Sequence, residues 1–196
     1  MLLIVATGFA PEDVREAAAT AMVGRARLRH VTLAEARLND GQYLLAFNDL
    51  FIGARSHVSA LYRISYEKNS ETQSSSGVLI STGAGSTGWI SSVFNMAAGV
   101  ARFCGGKAGP AVRLGWDDPR LLYVVREPFL SRHSQASIVA GMLRPGERLS
   151  LESLMPSGGV IFSDGMEADF LNFNSGSSVQ ICAAEQRAHL VVKEPV

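Results

Sequence analysis

The sequence lacks the features that mark several large classes of protein. Its 196 residues carry 18 basic and 18 acidic side chains, so no excess of positive charge favours nucleic acid as a partner. No apolar run is long enough to cross a bilayer. The short apolar start has no basic residue before it and acidic residues after it, which is not typical of a signal peptide. We therefore expect a cytoplasmic protein that binds neither nucleic acid nor membranes.

Cysteine and histidine are also scarce. The two cysteines, Cys104 and Cys182, are far apart and have no Cys or His neighbour at metal-ligand spacing, so we expect two reduced, buried thiols. The four histidines are scattered, with no pair spaced four residues apart. The sequence therefore predicts no metal site.

The sequence does contain enough apolar residues for a large core, since 47% of the chain is hydrophobic, and it arranges them in short runs. The runs predict strands at 2–6, 27–37, 43–47, 50–53, 58–66, 77–81, 120–126, 135–143, 148–153, 160–163, 178–183 and 188–192. A helix begins near Pro11 and ends before Gly24, and a long buried helix covers 87–103. We predict a mainly β (α+β) fold, a β-sandwich-like domain with one long packed helix.

The stretch STGAGSTGW, residues 81–89, links a predicted strand to the long helix and contains glycines at 83, 85 and 88. This G-x-G-x-x-G spacing is typical of a dinucleotide-binding Rossmann turn, but that site also needs an acidic residue about 20 positions later and a second parallel strand. No acidic residue lies between Glu71 and Asp117, and a glycine-rich loop follows the helix. Two interpretations remain: a tight turn for close packing, or a hydroxyl-rich turn that binds a phosphate or polar ligand.

Three segments, in order, resemble the second domain of the NAD kinases. Residues 77–82 (GVLIST) and 85–87 (GST) resemble its conserved strand and turn, AFND at 46–49 resembles its Ala-Leu-Asn-Glu strand end, and FSDGM at 162–166 is similar to a late turn. NAD kinases transfer a phosphoryl group from ATP, or in some members polyphosphate, to the adenosine ribose 2′-hydroxyl of NAD, giving NADP. The resemblance implies the β-rich NAD-binding domain of such an enzyme, with ATP and Mg²⁺ needed by the whole enzyme and a homo-oligomer as its assembly.

The resemblance also implies roles for individual residues. Asn48 would hydrogen-bond the adenosine, and Asp49 would lie near the ribose hydroxyls, where an ionised carboxylate accepts hydrogen bonds. The other implied substrate-binding residues are Ser76, Thr82, Ala84, Ser86, Thr87, Gly88 and Trp89. Of these, Ser86, Thr87 and Gly88 would line the adenine pocket. Trp89 would replace the family's tyrosine.

The sequence departs from the family where catalysis is concerned. The family's catalytic Gly-Gly-Asp-Gly motif is absent, the family's Asp is Ser76 here, and Asp49 is one methylene shorter than its Glu. We expect residues 1–40 to be the linker or remnant of an N-terminal α/β domain and 41–196 to be the binding domain, which is not catalytic alone. The alternatives are a non-catalytic nucleotide-binding or self-associating module and a related sugar or lipid kinase domain.

Overall fold

The computed structural model describes residues 2–5 and 14–192. Its elements in chain order are β1 (Leu2–Val5), α1 (Val14–Met22), β2 (Leu28–Leu38), β3 (Tyr43–Ala46), β4 (Asp49–Ala54), β5 (Ala60–Tyr66), β6 (Asn69–Ser75), β7 (Val78–Ser81), α2 (Trp89–Phe103), β8 (Leu121–Val125), β9 (Ala140–Leu143), β10 (Leu149–Ser153), β11 (Gly159–Ser163), β12 (Phe170–Asn172) and β13 (Ser178–Val191). A short 3-10 turn, Gly85–Thr87, precedes α2. The predicted helix start at Pro11 lies outside the described residues.

The strands form two sheets. The seven-stranded sheet has the order β3-β2-β13-β10-β5-β6, with β1 also paired to β13, and the six-stranded sheet has the order β12-β11-β4-β7-β8-β9. All these pairs are antiparallel except β1 with β13. β1 and β2 precede residue 40 and both pair with β13. The predicted domain division at residue 40 stays a prediction.

The two sheets pack face to face around the main hydrophobic core. Alternate side chains of each strand face inward, such as Leu50 and Ile52 of β4 and Leu149 and Leu151 of β10. Fully burying each such side chain contributes about 1.5–3 kcal/mol. The predicted β-sandwich-like, mainly β fold is confirmed.

Helix α2 covers part of the outer face of the six-stranded sheet. Ile90 packs there with Leu79 of β7 and with Leu122 and Val124 of β8. The expected burial of this helix is wrong, because Ile90 is its one buried residue and Phe103 is 92% exposed. The sheet covers only one side of the helix. The many small side chains of the helix fit a buried and an exposed position equally well, so the sequence does not indicate which side is covered.

Two strands, β6 and β12, escaped prediction, the first because it is polar and the second because it is short. β6 reads NSETQSS, and its inward side chains form a polar network in which the buried Tyr62 hydroxyl contacts Gln73 Oε1 at 3.0 Å and Ser75 Oγ at 2.6 Å. β12 has three residues, too few for a periodic signal. Buried polar side chains that bond one another can replace the hydrophobic alternation on which strand prediction depends.

Three further expectations need correction. The predicted strand at 135–143 is shorter, since β9 begins at Ala140, and the strands predicted at 178–183 and 188–192 are one strand, β13. An irregularity between Ala183 and Arg187 interrupts its hydrophobic pattern. The expected burial of both thiols is also wrong: Cys104 is exposed just beyond α2, and Cys182 is partly exposed on β13.

Candidate functional site

The glycine turn joins β7 to α2, and two of its glycines are required by close backbone contacts. A Cβ atom on Gly83 would lie 1.7 Å from the carbonyl oxygen of Gly115, and one on Gly85 would lie 2.3 Å from that of Asn48. The strand after α2, β8, is antiparallel to β7. The turn is therefore not a Rossmann turn, which links parallel strands. Close packing accounts for Gly83 and Gly85.

Two of the predicted site residues, Thr82 and Ser86, stabilise this turn through internal hydrogen bonds of their hydroxyl groups. The buried Thr82 donates its Oγ1 hydrogen to the Phe47 carbonyl at 2.6 Å and accepts from the Gly85 N–H at 3.2 Å. The buried Ser86 donates from Oγ to the Gly83 carbonyl at 2.8 Å and accepts from the Leu114 N–H at 3.3 Å. Thr87 and Gly88, in contrast, are exposed. Thr87 and Gly88 are therefore the accessible residues of the turn, whereas Thr82 and Ser86 support its backbone.

A carboxylate from a distant turn fixes the backbone around Asn48 and Asp49. Asp164 accepts hydrogen bonds from the backbone N–H groups of Phe47 at 2.9 Å, Asn48 at 2.6 Å and Asp49 at 3.2 Å. Asp164 itself has a φ of 53°. Two of the segments that carry the family resemblance, 46–49 and 162–166, are thus in direct contact.

The Asp49 carboxyl group is buried and incompletely hydrogen-bonded. The residue is 8% exposed, and its Oδ1 has no hydrogen-bond partner among the described residues. Burial raises the pKa of Asp49 to about 6, the charge of Asp164 also raises it, and the nearby Ser81 hydroxyl lowers it. Leaving a buried acceptor unpaired costs about 1–3 kcal/mol. Oδ1 is enclosed by the protein, whereas Oδ2 lies beside the exposed Gly88, where a Cβ would fall 3.9 Å from it.

A cavity of about 690 Å³ lies on the same outer sheet face, beside α2. Its aromatic residues are Phe51 of β4, Phe162 of β11 and Trp89 of α2; the Phe51 ring centroid is 5.6 Å from that of Trp89 and 4.9 Å from that of Phe162. Ser76 also lines the cavity. Large aromatic surfaces with a few polar groups are typical of ligand sites.

The predicted site residues thus divide into three groups. Asn48, Asp49 and Gly88 meet at one end of β4, where Asp49 pairs with Ser81 of β7. Ser76 and Trp89 meet in the cavity toward the other end. The last group comprises Thr82, Ala84, Ser86 and Thr87 within the turn.

Sequence reasoning missed several cavity residues, namely Phe51, Arg55, Arg126 and Phe162. Arg55 and Arg126 each directly follow a strand, β4 and β8 respectively, and this position after a strand is the signal that could have found them. Among the described residues no three His, Cys, Asp or Glu side chains converge. No helix among the described residues is long and apolar enough to span a membrane.

Comparisons with known proteins give a match at the level of structure. No protein-family model matches the sequence, and no curated protein matches it. Among solved structures, the chain is similar to yeast NADH kinase in complex with NADH, with a TM-score of 0.61 and 19% sequence identity. The match covers 97% of this chain and 53% of the kinase, so this chain spans about half the kinase's length. The chain therefore has an NAD kinase-like fold.

Proposed function

We propose that this chain is the dinucleotide-binding domain of an NAD kinase-like protein and that it binds NAD or NADH across the outer face of the six-stranded sheet. The buried Asp49 carboxyl, whose Oδ2 lies beside the exposed Gly88, is the observation that carries the proposal. Ribose hydroxyls are suited to such an acceptor because they donate hydrogen bonds without bringing a charge. The structural similarity to a kinase bound to NADH supports this choice of ligand.

The proposal gives separate roles to the two ends of the site. Asn48 hydrogen-bonds the adenosine, Asp49 accepts from its ribose, and the exposed Thr87 and Gly88 border the adenine. Trp89 lines the cavity beyond them, stacked on Phe51. Asp164 is a positioning residue, since it acts through the backbone of 47–49.

Phosphoryl transfer is assigned to this chain only in combination with a further domain. The sequence contains no Gly-Gly-Asp-Gly motif, whose aspartate would serve as the base that removes the proton of the ribose 2′-hydroxyl. Phosphoryl transfer otherwise depends on positioning and on metal and cationic charge. We infer that residues 41–196 bind the dinucleotide and that this chain alone leaves it unphosphorylated.

The first test is calorimetric titration of the chain with NADH, NAD, NADP, ATP and a phosphosugar. We expect NADH or NAD to bind. Asp49→Asn should weaken that binding about tenfold or more, because hydrogen bonds to charged groups contribute about 1.5–3 kcal/mol, and Asn48→Ala should weaken it about three- to tenfold, because neutral hydrogen bonds contribute about 0.5–1.5 kcal/mol. Asn69→Ala is the matched control, since Asn69 is exposed at the start of β6 on the other sheet.

Dinucleotide binding that neither substitution at 48 or 49 alters would contradict the proposed site. Binding of the phosphosugar in preference to every nucleotide would favour a sugar kinase relative. Dinucleotide binding to a full-length protein that also lacks the Gly-Gly-Asp-Gly motif would favour a non-catalytic module.

A further inference from the structure

Two arginines that line the cavity, Arg55 and Arg126, lie at the same end of the six-stranded sheet. Arg55 directly follows β4 and Arg126 directly follows β8. Both strands pair antiparallel with β7, so they run in the same direction and end at the same edge. Strands two positions apart are separated by about 9.5 Å. Both side chains line the same cavity.

The backbone around Arg126 is fixed where β7 begins. Arg126 donates its N–H to the Gly77 carbonyl at 2.8 Å, and its own carbonyl accepts from the Ser76 N–H at 2.9 Å. A Cβ on Gly77 would lie 2.7 Å from the Phe51 ring, so this glycine leaves room for the aromatic floor of the cavity. Ser76 and Phe51 thus lie between the two arginines.

Each guanidinium is held by an aromatic ring and has free donors. Arg126 Cζ lies 5.3 Å from the Trp89 ring centroid, and Arg55 Cζ lies 4.8 Å from that of Phe170. Among the described residues neither guanidinium donates a hydrogen bond within 3.5 Å, and the nearest carboxylate oxygen of Glu127 is 3.7 Å from Arg126. Arg120, by contrast, donates twice to Asp118, at 2.8 and 2.7 Å.

We infer that Arg55 and Arg126 bind a phosphate group of the ligand, and that they make the cavity specific for phosphorylated ligands over their unphosphorylated parents. A planar guanidinium with free N–H donors matches phosphate oxygens in pairs. Glu127 and Glu167 also line the cavity, and their carboxylates suit the hydroxyls of a sugar attached to that phosphate. The assignment of a phosphate to the two arginines stands by itself; only the identity of the rest of the ligand rests on the proposed function.

The test compares pairs of probes that differ by phosphate: ADP with adenosine, and ribose 5-phosphate with ribose. Calorimetry on the unaltered chain should show at least one phosphorylated probe binding about tenfold or more tightly than its parent. Arg55→Met and Arg126→Met should each reduce this ratio toward one, since Met keeps the contact with the ring and removes the charge. Arg63→Met is the control, because Arg63 pairs with Glu152 on the outer face of the other sheet.

The two pairs separate a nucleotide from a simple phosphosugar as the source of the phosphate. Equal affinities within both pairs, or a ratio that survives both substitutions, would overturn the inference; far-ultraviolet circular dichroism checks that each variant is folded. A ratio that depends on the arginines while Asp49→Asn changes no affinity would leave this inference standing and reject the proposed adenosine site. If Asp49→Asn weakens binding but the affinity ratio does not depend on the arginines, this inference alone would be rejected.

Discussion

Asp49 and Asp164 are neighbouring carboxylates with different environments. Asp164 is exposed and accepts three backbone hydrogen bonds, whereas Asp49 is buried with an unpaired oxygen. Burial disfavours the ionised form of a carboxyl group, and a nearby negative charge does the same. Asp164 therefore stabilises the backbone of residues 47–49, whereas Asp49 keeps an acceptor for the proposed ligand at some cost in stability.

The raised pKa of Asp49 predicts a pH-dependent stability. Its folded pKa of about 6 lies above the reference value of 3.8, so the stability from its neutral form is fully present below about pH 4 and is lost as the pH rises through 6. Between pH 5 and 7.5 this group should lower the free energy of unfolding by roughly 1–1.5 kcal/mol.

Urea denaturation at the two pH values measures this effect. Asp49→Asn, which resembles the neutral carboxyl, should lose that part of the slope, while Asp169→Asn, at an exposed position, should keep it. The same pH dependence in the wild-type chain and in Asp49→Asn would show that Asp49 is not the titrating group.

At the scale of elements, the turn between β7 and α2 combines tight backbone packing with residues of the proposed ligand site. Gly83 and Gly85 let the backbone pass the carbonyls of Gly115 and Asn48, and Gly88 lies beside Asp49. The glycines therefore act on the ligand site through backbone position. A mutation in the turn should change folding as well as binding.

Two glycine substitutions distinguish a glycine that close packing requires from one that only adds backbone flexibility. Gly83→Ala should lower the free energy of unfolding by about 3 kcal/mol or more, because its Cβ would overlap a backbone oxygen that cannot move freely. Gly99→Ala, within α2 and with no atom within 4 Å of the new Cβ, should instead stabilise the chain by about 0.5–1 kcal/mol. Thermal and urea unfolding measure both, and a mild effect at residue 83 would contradict the close approach to Gly115.

Much of this fold could be predicted because most strands have apolar inward faces. The hairpin at 39–41 was predictable from Asn-Asp-Gly, and Gly41 has the positive φ, 93°, that such a turn uses. β6 was not predictable, because its inward residues are polar and are stabilised by Tyr62, a residue on another strand. Similarly, the sequence does not reveal that Thr82 and Ser86 point inward or that Arg55 and Arg126 share one sheet edge. These facts depend on pairing between distant segments.

At the scale of the whole molecule, the chain is a β-sandwich, and the proposed ligand site extends along one of its faces. Six residues separate Asp49 from Arg55 along β4, a distance of about 20 Å at the usual rise per residue. A small ligand would occupy one end, whereas a dinucleotide could contact both. The match leaves about half of yeast NADH kinase uncovered.

We predict that the chain self-associates. The outer side of α2 exposes Met96, Val100 and Phe103, and exposed apolar surface favours association. Sedimentation velocity over a range of concentrations should detect at least a dimer. Phe103→Ser should weaken association, while Leu61→Ser, on the outer face of the seven-stranded sheet, should not. A monomer at every concentration would contradict the prediction.

The central position of β13 determines when this fold can be completed. It lies between β2 and β10, and its pairing with β2 joins segments that are most of the chain apart. Pairing between distant segments slows folding, and unpaired strand edges invite aggregation. During synthesis β2 leaves the ribosome well before β13 and keeps one edge unpaired until residues 178–191 follow. Until then, this edge of β2 is a template for pairing with other chains.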